Sequence, residues 1–249
     1  MEYRDPFATA QYGAQSKAAA YDLGLRAYML KIYNYMASAL ALTGVVAMFA
    51  ANSPAFVEAI YRVQNGHVVG MSPLGWIIAV APLGLVLWLS FGINRLSASA
   101  AQGIFWAYAT IMGLSLSSIF LMYTGESIAR TFFVTAGTFG AMSIYGYTTK
   151  KDLTGMGSFL MMGLIGLILA SIVNIFMQSS ALAFATSVIG VLIFVGLTAY
   201  DTQKLKSMYY QVAGSSEMMA KASVMGALTL YLDFINIFMY LLRFMGDRK

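Results

Sequence analysis

Asp233 lies in the run Leu230-Tyr231-Leu232-Asp233-Phe234-Ile235-Asn236, with eleven mostly apolar residues on each side. A carboxylate at the centre of a membrane helix costs about 3 kcal/mol on insertion scales, so it needs a partner or a task. Asn236 and Tyr240 follow at i+3 and i+7, on the same helical face. Asp201 comes directly after Tyr200 at the end of another apolar run, and Arg95 lies just beyond a third. Two carboxylates brought together at low dielectric cannot both ionise cheaply. They share a proton and titrate as a unit, which makes a pH switch. Plainer roles stay open at this point. Asp233 can be a hydrogen-bonded tie between helices, Asp201 a solvated helix end near Lys204, and Arg95 a topology signal.

Membrane helices have to position these residues. Of 249 residues, 59% are hydrophobic and 10% charged, where a soluble domain carries roughly a quarter. Seven runs approach the ~20 apolar residues that a span needs: 30–51, 76–91, 103–123, 128–147, 156–177, 181–200 and 222–244. The expected fold is therefore an all-α membrane protein of seven transmembrane helices. A polar segment over 1–29 precedes a transmembrane domain over 30–249. That segment has no apolar run and is expected to be retained, not cleaved as a secretory signal, and to be largely disordered at first. The links at 124–127 and 178–180 are short, which makes neighbouring helices antiparallel. Residues 52–75 and 202–221 read as the two longer loops. Asp233 then lies about 16 Å along its helix from Ala222. It can meet Asp201 only if the sixth helix continues inward past residue 200 or the seventh begins before 222.

Lysine and arginine placement orients the bundle. With the N-terminus cytoplasmic, Arg4, Lys17, Arg26, Lys31, Arg95, Lys150, Lys151, Lys204, Lys206 and Lys221 fall inside, ten of the fifteen. Arg62, Arg130, Arg243, Arg248 and Lys249 fall outside. The pairs Gly113/Ser117, Gly137/Ala141 and Gly166/Ala170 read as close helix packing, and the 18 methionines as adaptable core filler. The chain has no cysteine and one histidine, His67, so thiol chemistry is excluded and a histidine metal site is not expected. No basic stripe suits nucleic acid, and no cofactor is expected.

The runs Thr198-Ala199-Tyr200-Asp201-Thr202-Gln203-Lys204-Leu205-Lys206 and 230–236 resemble the signatures of the transmembrane Bax inhibitor motif family. Gly146-Tyr147-Thr148-Thr149-Lys150-Lys151-Asp152-Leu153 is similar to its bacterial YbhL/YccA-like branch. The resemblance implies seven helices with the seventh at the centre, in a bacterial inner membrane. It also implies a pH-sensitive calcium leak governed by two aspartates, here Asp201 and Asp233, with Arg95 placed to latch them. Some relatives carry a carboxylate within the second helix, and this chain has none there.

Three functions follow as expectations. The first is a calcium leak gated by the proton-sharing pair, with Asn236, Tyr240 and Tyr200 as supporting polar groups. Calcium takes six to eight oxygens, so Asp201 and Asp233 would hold it only weakly and in transit. The second is an intramembrane aspartyl protease, which ranks below because Leu230-Tyr231-Leu232-Asp233 lacks that family's Gly-x-Gly-Asp. No enzyme activity is expected. The third is a non-conducting modulator of a membrane-anchored ATP-dependent protease or another stress-response membrane partner, docking through the N-terminal segment.

Overall fold

Serine and threonine mark where most of the helices begin. In the computed structural model, which describes residues 6–64 and 67–249, the elements are α1 (Pro6–Ala51), α2 (Pro54–Ile60), β1 (Tyr61–Gln64), β2 (His67–Met71), α3 (Pro73–Gly92), α4 (Ala98–Met122), α5 (Gly125–Thr148), α6 (Thr154–Met177), α7 (Ser180–Val212) and α8 (Ser216–Met245). Ser53, Ser72, Ser97, Thr124, Ser179 and Ser215 each accept a hydrogen bond from a backbone N–H in the first turn of the helix that follows. These bonds satisfy donors that a helix start leaves open. The strands β1 and β2 form a small antiparallel hairpin between α2 and α3.

Among the described residues, six helices are long and apolar enough to cross a membrane: Asp22–Ala51 of α1, and α3, α4, α6, α7 and α8. The chain is an all-α membrane protein apart from the hairpin. Helix α5, the fourth expected span, falls short of that apolarity because it carries Glu126, Arg130 and several serines and threonines. Four of its hydroxyl residues, Ser127, Thr131, Thr135 and Ser143, are buried, while Glu126 and Arg130 at its start are exposed.

Helix α8 is the most buried of the six, and it packs against α1, α4, α5 and α7. On the α1–α4 side, Thr43 Oγ1 meets the Tyr231 hydroxyl at 2.7 Å and donates to the Ala109 carbonyl at 2.8 Å, tying three helices together. Phe105 and Tyr108 meet the Tyr231 ring edge-on. Helices α3 and α6 stand outside this ring, against α4 and α7. They present Trp76, Trp88 and Phe91, and Phe159, Met162 and Phe176, to the surroundings.

Three boundaries differ from the sequence expectation. Helix α1 runs unbroken through residue 30, and Leu25, Tyr28 and Met29 already belong to the core; residues 1–5 lie outside the described chain. Helix α7 does not stop at Tyr200 but continues to Val212. Its 33 residues make about 50 Å of helix, well beyond a ~30 Å hydrocarbon core. Residues 202–221 are therefore not a loop: the break between α7 and α8 is only 213–215.

The small-residue pairs also divide. Gly113 lies against the backbone and Val46 of α1 as expected, whereas a side chain at Gly137 or Gly166 would meet nothing. The close approaches fall at Gly146 on the Ala199 backbone, Gly190 on the Tyr240 ring and Gly226 on Leu205. Backbone cannot give way as a flexible side chain can. Gly146→Val should therefore lower stability by about 1–3 kcal/mol, while Gly166→Ala should be neutral or stabilising by up to about 1 kcal/mol. Thermal melts of both variants in detergent micelles check the contrast.

Candidate functional site

Extension of α7 past Tyr200 places Asp201 inside a helix, eleven residues before its end. The early start of α8 places Asp233 seventeen residues after Ser216. Antiparallel packing sets Leu205 beside Gly226 at one end of the crossing and Gly190 beside Tyr240 at the other. Between these contacts the carboxyl groups of Asp201 and Asp233 come close enough to act on each other. Asp233 is only 4% exposed, and its Oδ2 is buried with no donor to satisfy it. A buried acceptor without a donor is costly. A single proton held between the two carboxyls removes that cost and one of the two charges.

The charge that acts on Asp201 from outside the pair is Lys204, one turn on. Its ammonium lies 5.8 Å from the centre of the Tyr200 ring. Tyr200 therefore faces the lysine. The Tyr200 ring itself packs on Gly157 of α6. Arg95 is exposed in the turn between α3 and α4 and has no ion pair among the described residues. Its helix packs on α4, outside the ring around α8. The structure does not bring Arg95 to the aspartates. Asn236 donates to the Leu232 carbonyl at 2.8 Å within its own helix, and Tyr240 stacks on Phe194 at 6.0 Å. Both lie on the stripe that Asp233 begins, but neither bonds to it. Among the described residues, no group of three or more acidic or histidine side chains could hold a metal ion.

The link between α5 and α6 is clamped beside the pair. Gln203 accepts from the Leu153 amide and donates to the Lys151 carbonyl, both at 2.8 Å. Lys206 Nζ donates to the Tyr147 carbonyl at 2.8 Å and lies 5.0 Å from the centre of that ring. Ser143 and Thr202 share a buried hydroxyl contact of 3.3 Å. Asp152 caps the start of α6: the Thr154 hydroxyl and then its amide hold the Asp152 carboxyl below the usual carboxylate range. This exposed contact therefore stabilises α6 above that range and loses its contribution as pH falls through the lowered value.

The family of the description "Inhibitor of apoptosis-promoting Bax1" matches residues 25–249. The chain belongs to this Bax inhibitor family. A Rickettsia prowazekii protein is 56% identical over 94% of this chain and 95% of its own length. A Caulobacter vibrioides protein is 50% identical over 92% and 91%. The Escherichia coli inner membrane protein YbhL is 50% identical over 91% and 94%.

The runs that carry the family resemblance, 146–153 and 198–206, are one physical unit. Gly146 lets α5 reach the backbone of Ala199, two residues before Asp201, and Gln203 and Lys206 then fasten the link. The sequence alone assigns Gln203 and Thr202 no task, counts Lys206 only as a basic residue of the cytoplasmic side, and does not single out Ser143. The available signal was spacing. Gln203 and Lys206, three apart, share one face of the helix and Asp201 lies on another, so Asp201 can face α8 while those two reach the α5–α6 link. Gln203→Ala should cost about 1–2 kcal/mol. It should also speed amide exchange at Leu153 and trypsin cleavage after Lys150 and Lys151, while leaving exchange in the α8 core unchanged. Hydrogen-exchange mass spectrometry reads both.

Proposed function

We propose that this protein is a pH-gated cation leak of the bacterial inner membrane, with calcium as the ion. The buried Asp201–Asp233 pair with its unsatisfied Asp233 oxygen carries the reading. In the closed state the pair holds one proton, and Lys204 offsets the remaining charge. Loss of that proton leaves two like charges a few ångströms apart, a repulsion of about 4 kcal/mol at an effective dielectric near 20. Separation of α7 from α8 relieves it and admits water and a cation. Two carboxylates alone bind calcium weakly, which suits passage better than storage.

Seven spans, α5 included, fit the path of the chain. The C-terminal tail returns to the start of α5. Asp247 accepts from Arg130 at 2.7 Å, its amide donates to Ser127 at 2.9 Å, and the Lys249 amide donates to the Met122 carbonyl at 3.0 Å. The far end of α5 meets Lys206 of α7. Helix α5 thus runs antiparallel to α8 over much of its length, and 24 residues make about 36 Å. Four crossings, α5 to α8, return the tail to the side it left, whereas three would not. The ten-to-five distribution of basic residues supports a cytoplasmic N-terminus. The inner membrane follows from the likeness to YbhL.

Calcium flux into proteoliposomes, followed between about pH 5 and about pH 8, tests the reading. Flux should rise with pH, by at most about tenfold per unit, the limit for release of one proton. Asp233→Asn and Asp201→Asn should each flatten the profile. Lys204→Ala should move its midpoint to higher pH, because a charge that favours ionisation is lost, while Arg95→Ala should leave it in place. A wild-type profile in both asparagine variants would make the aspartates structural ties.

A further inference from the structure

Helix α5 packs on α7 and α8 but hardly on α4, while α1 packs on α4 and α8. A crevice is left between α1 and α5 with α8 as its floor. It consists of adjoining cavities of about 530 and 780 Å³ that share Phe139 as a wall. Tyr33 and Leu40 line one side, Phe132 and Ala136 the other, and Phe234 and Phe238 the floor. Gly44 and Gly140 also line it, and a Cβ at either would meet nothing within 4 Å. Glycine inside a helix is destabilising unless its space is used, and no helix of this chain uses the space here. Leu30, Val45, Phe133 and Ile144, along the rim, are exposed, so the crevice opens sideways between spans.

One end of the crevice is basic. Arg26 lines it, is exposed, and has no ion pair among the described residues. Tyr147 lines the same end and carries Lys206 on its carbonyl and ring. That ammonium has two further donors to offer. Lys150 and Lys151 follow α5 directly. Among the described residues, the acids on this side are Asp22, one turn before Arg26, Asp152, whose carboxyl is engaged by Thr154, Glu217, paired with Lys221, and Asp201, with Lys204 one turn on. From Arg26 to Met36, ten residues along α1, is about 15 Å, the depth of one leaflet of a ~30 Å core.

We infer that this crevice binds one acyl chain of an anionic phospholipid, with the phosphate between Arg26 and Lys206 and the chain running past Gly140 and Phe139 to Phe234. An apolar slot one leaflet deep with a cationic mouth matches an amphiphile with a negative head. The lipid would lie against the back of the aspartate pair, since Ser143 on the wall touches Thr202 and Phe234 on the floor adjoins Asp233. The assignment stands on the crevice alone and does not depend on ion flux.

Native mass spectrometry of the full chain in detergent, titrated with phosphatidylglycerol or with phosphatidylcholine of the same chains, tests it. One phosphatidylglycerol should bind, about tenfold tighter than phosphatidylcholine, and glycerol phosphate should not compete. Arg26→Gln, an exposed change that leaves packing intact, should weaken phosphatidylglycerol binding about fivefold and phosphatidylcholine binding less, because choline already offsets the phosphate charge that Arg26 meets. Gly140→Trp, with folding verified by its thermal melt, should lose both lipids. Equal binding of the two lipids by the wild type would overturn the assignment. So would wild-type stoichiometry in folded Gly140→Trp, competition by glycerol phosphate, or a dimer that forms in place of the lipid complex.

Discussion

The contact between the Asp201 and Asp233 carboxyl groups constrains the rest of the bundle. Two carboxylates away from water repel each other and each loses its hydration, so they coexist only if a proton is held between them. That demand fixes several features at once. Helix α7 has to run past the hydrocarbon core so that Asp201 lies within a helix. Helix α8 has to be enclosed so that Asp233 is shielded from lipid. The two must cross closely, and Gly190 and Gly226 permit this by accepting Tyr240 and Leu205 where a side chain would keep them apart.

The surrounding elements divide into a rigid side and an open one. Behind α8, Thr43, Ala109 and Tyr231 bind α1 and α4 to it. On the flank of α7, Gln203 and Lys206 secure the α5–α6 link. At the opposite end the C-terminal tail is tied to Ser127 and Arg130. Between α1 and α5 no comparable tie closes the bundle among the described residues, and that gap backs onto Ser143 and Phe234, beside the two aspartates.

The sequence carried much of this because lipid is an unforgiving solvent. The apolar runs located every span helix to within a few residues at most ends, and Asp233 stood out because little else polar interrupts α8. The failures share a physical origin. Residues 202–221 are rich in polar groups and read as a loop, yet α7 continues through most of them because a helix outside the core needs no apolar run. Helix α5 is too polar by composition because its serines and threonines are buried against α7 and α8 and not turned to lipid. Arg95 matched the resemblance by position along the chain, but α3 lies outside the ring around α8. The roles of Gln203 and Lys206 depend on the approach of α5 through Gly146, a contact between distant segments that no local pattern encodes.

A single proton held between Asp201 and Asp233 is what the proposed gate requires. Infrared difference spectroscopy of the protein in lipid, recorded during a pH titration, observes protonated carboxyl groups directly. The account predicts one protonated carboxyl at acidic to neutral pH, lost as a single group as pH rises, with its band altered by both Asp201→Asn and Asp233→Asn because the proton belongs to both. Absence of a protonated carboxyl at neutral pH, or a band that responds to only one of the two substitutions, would contradict it.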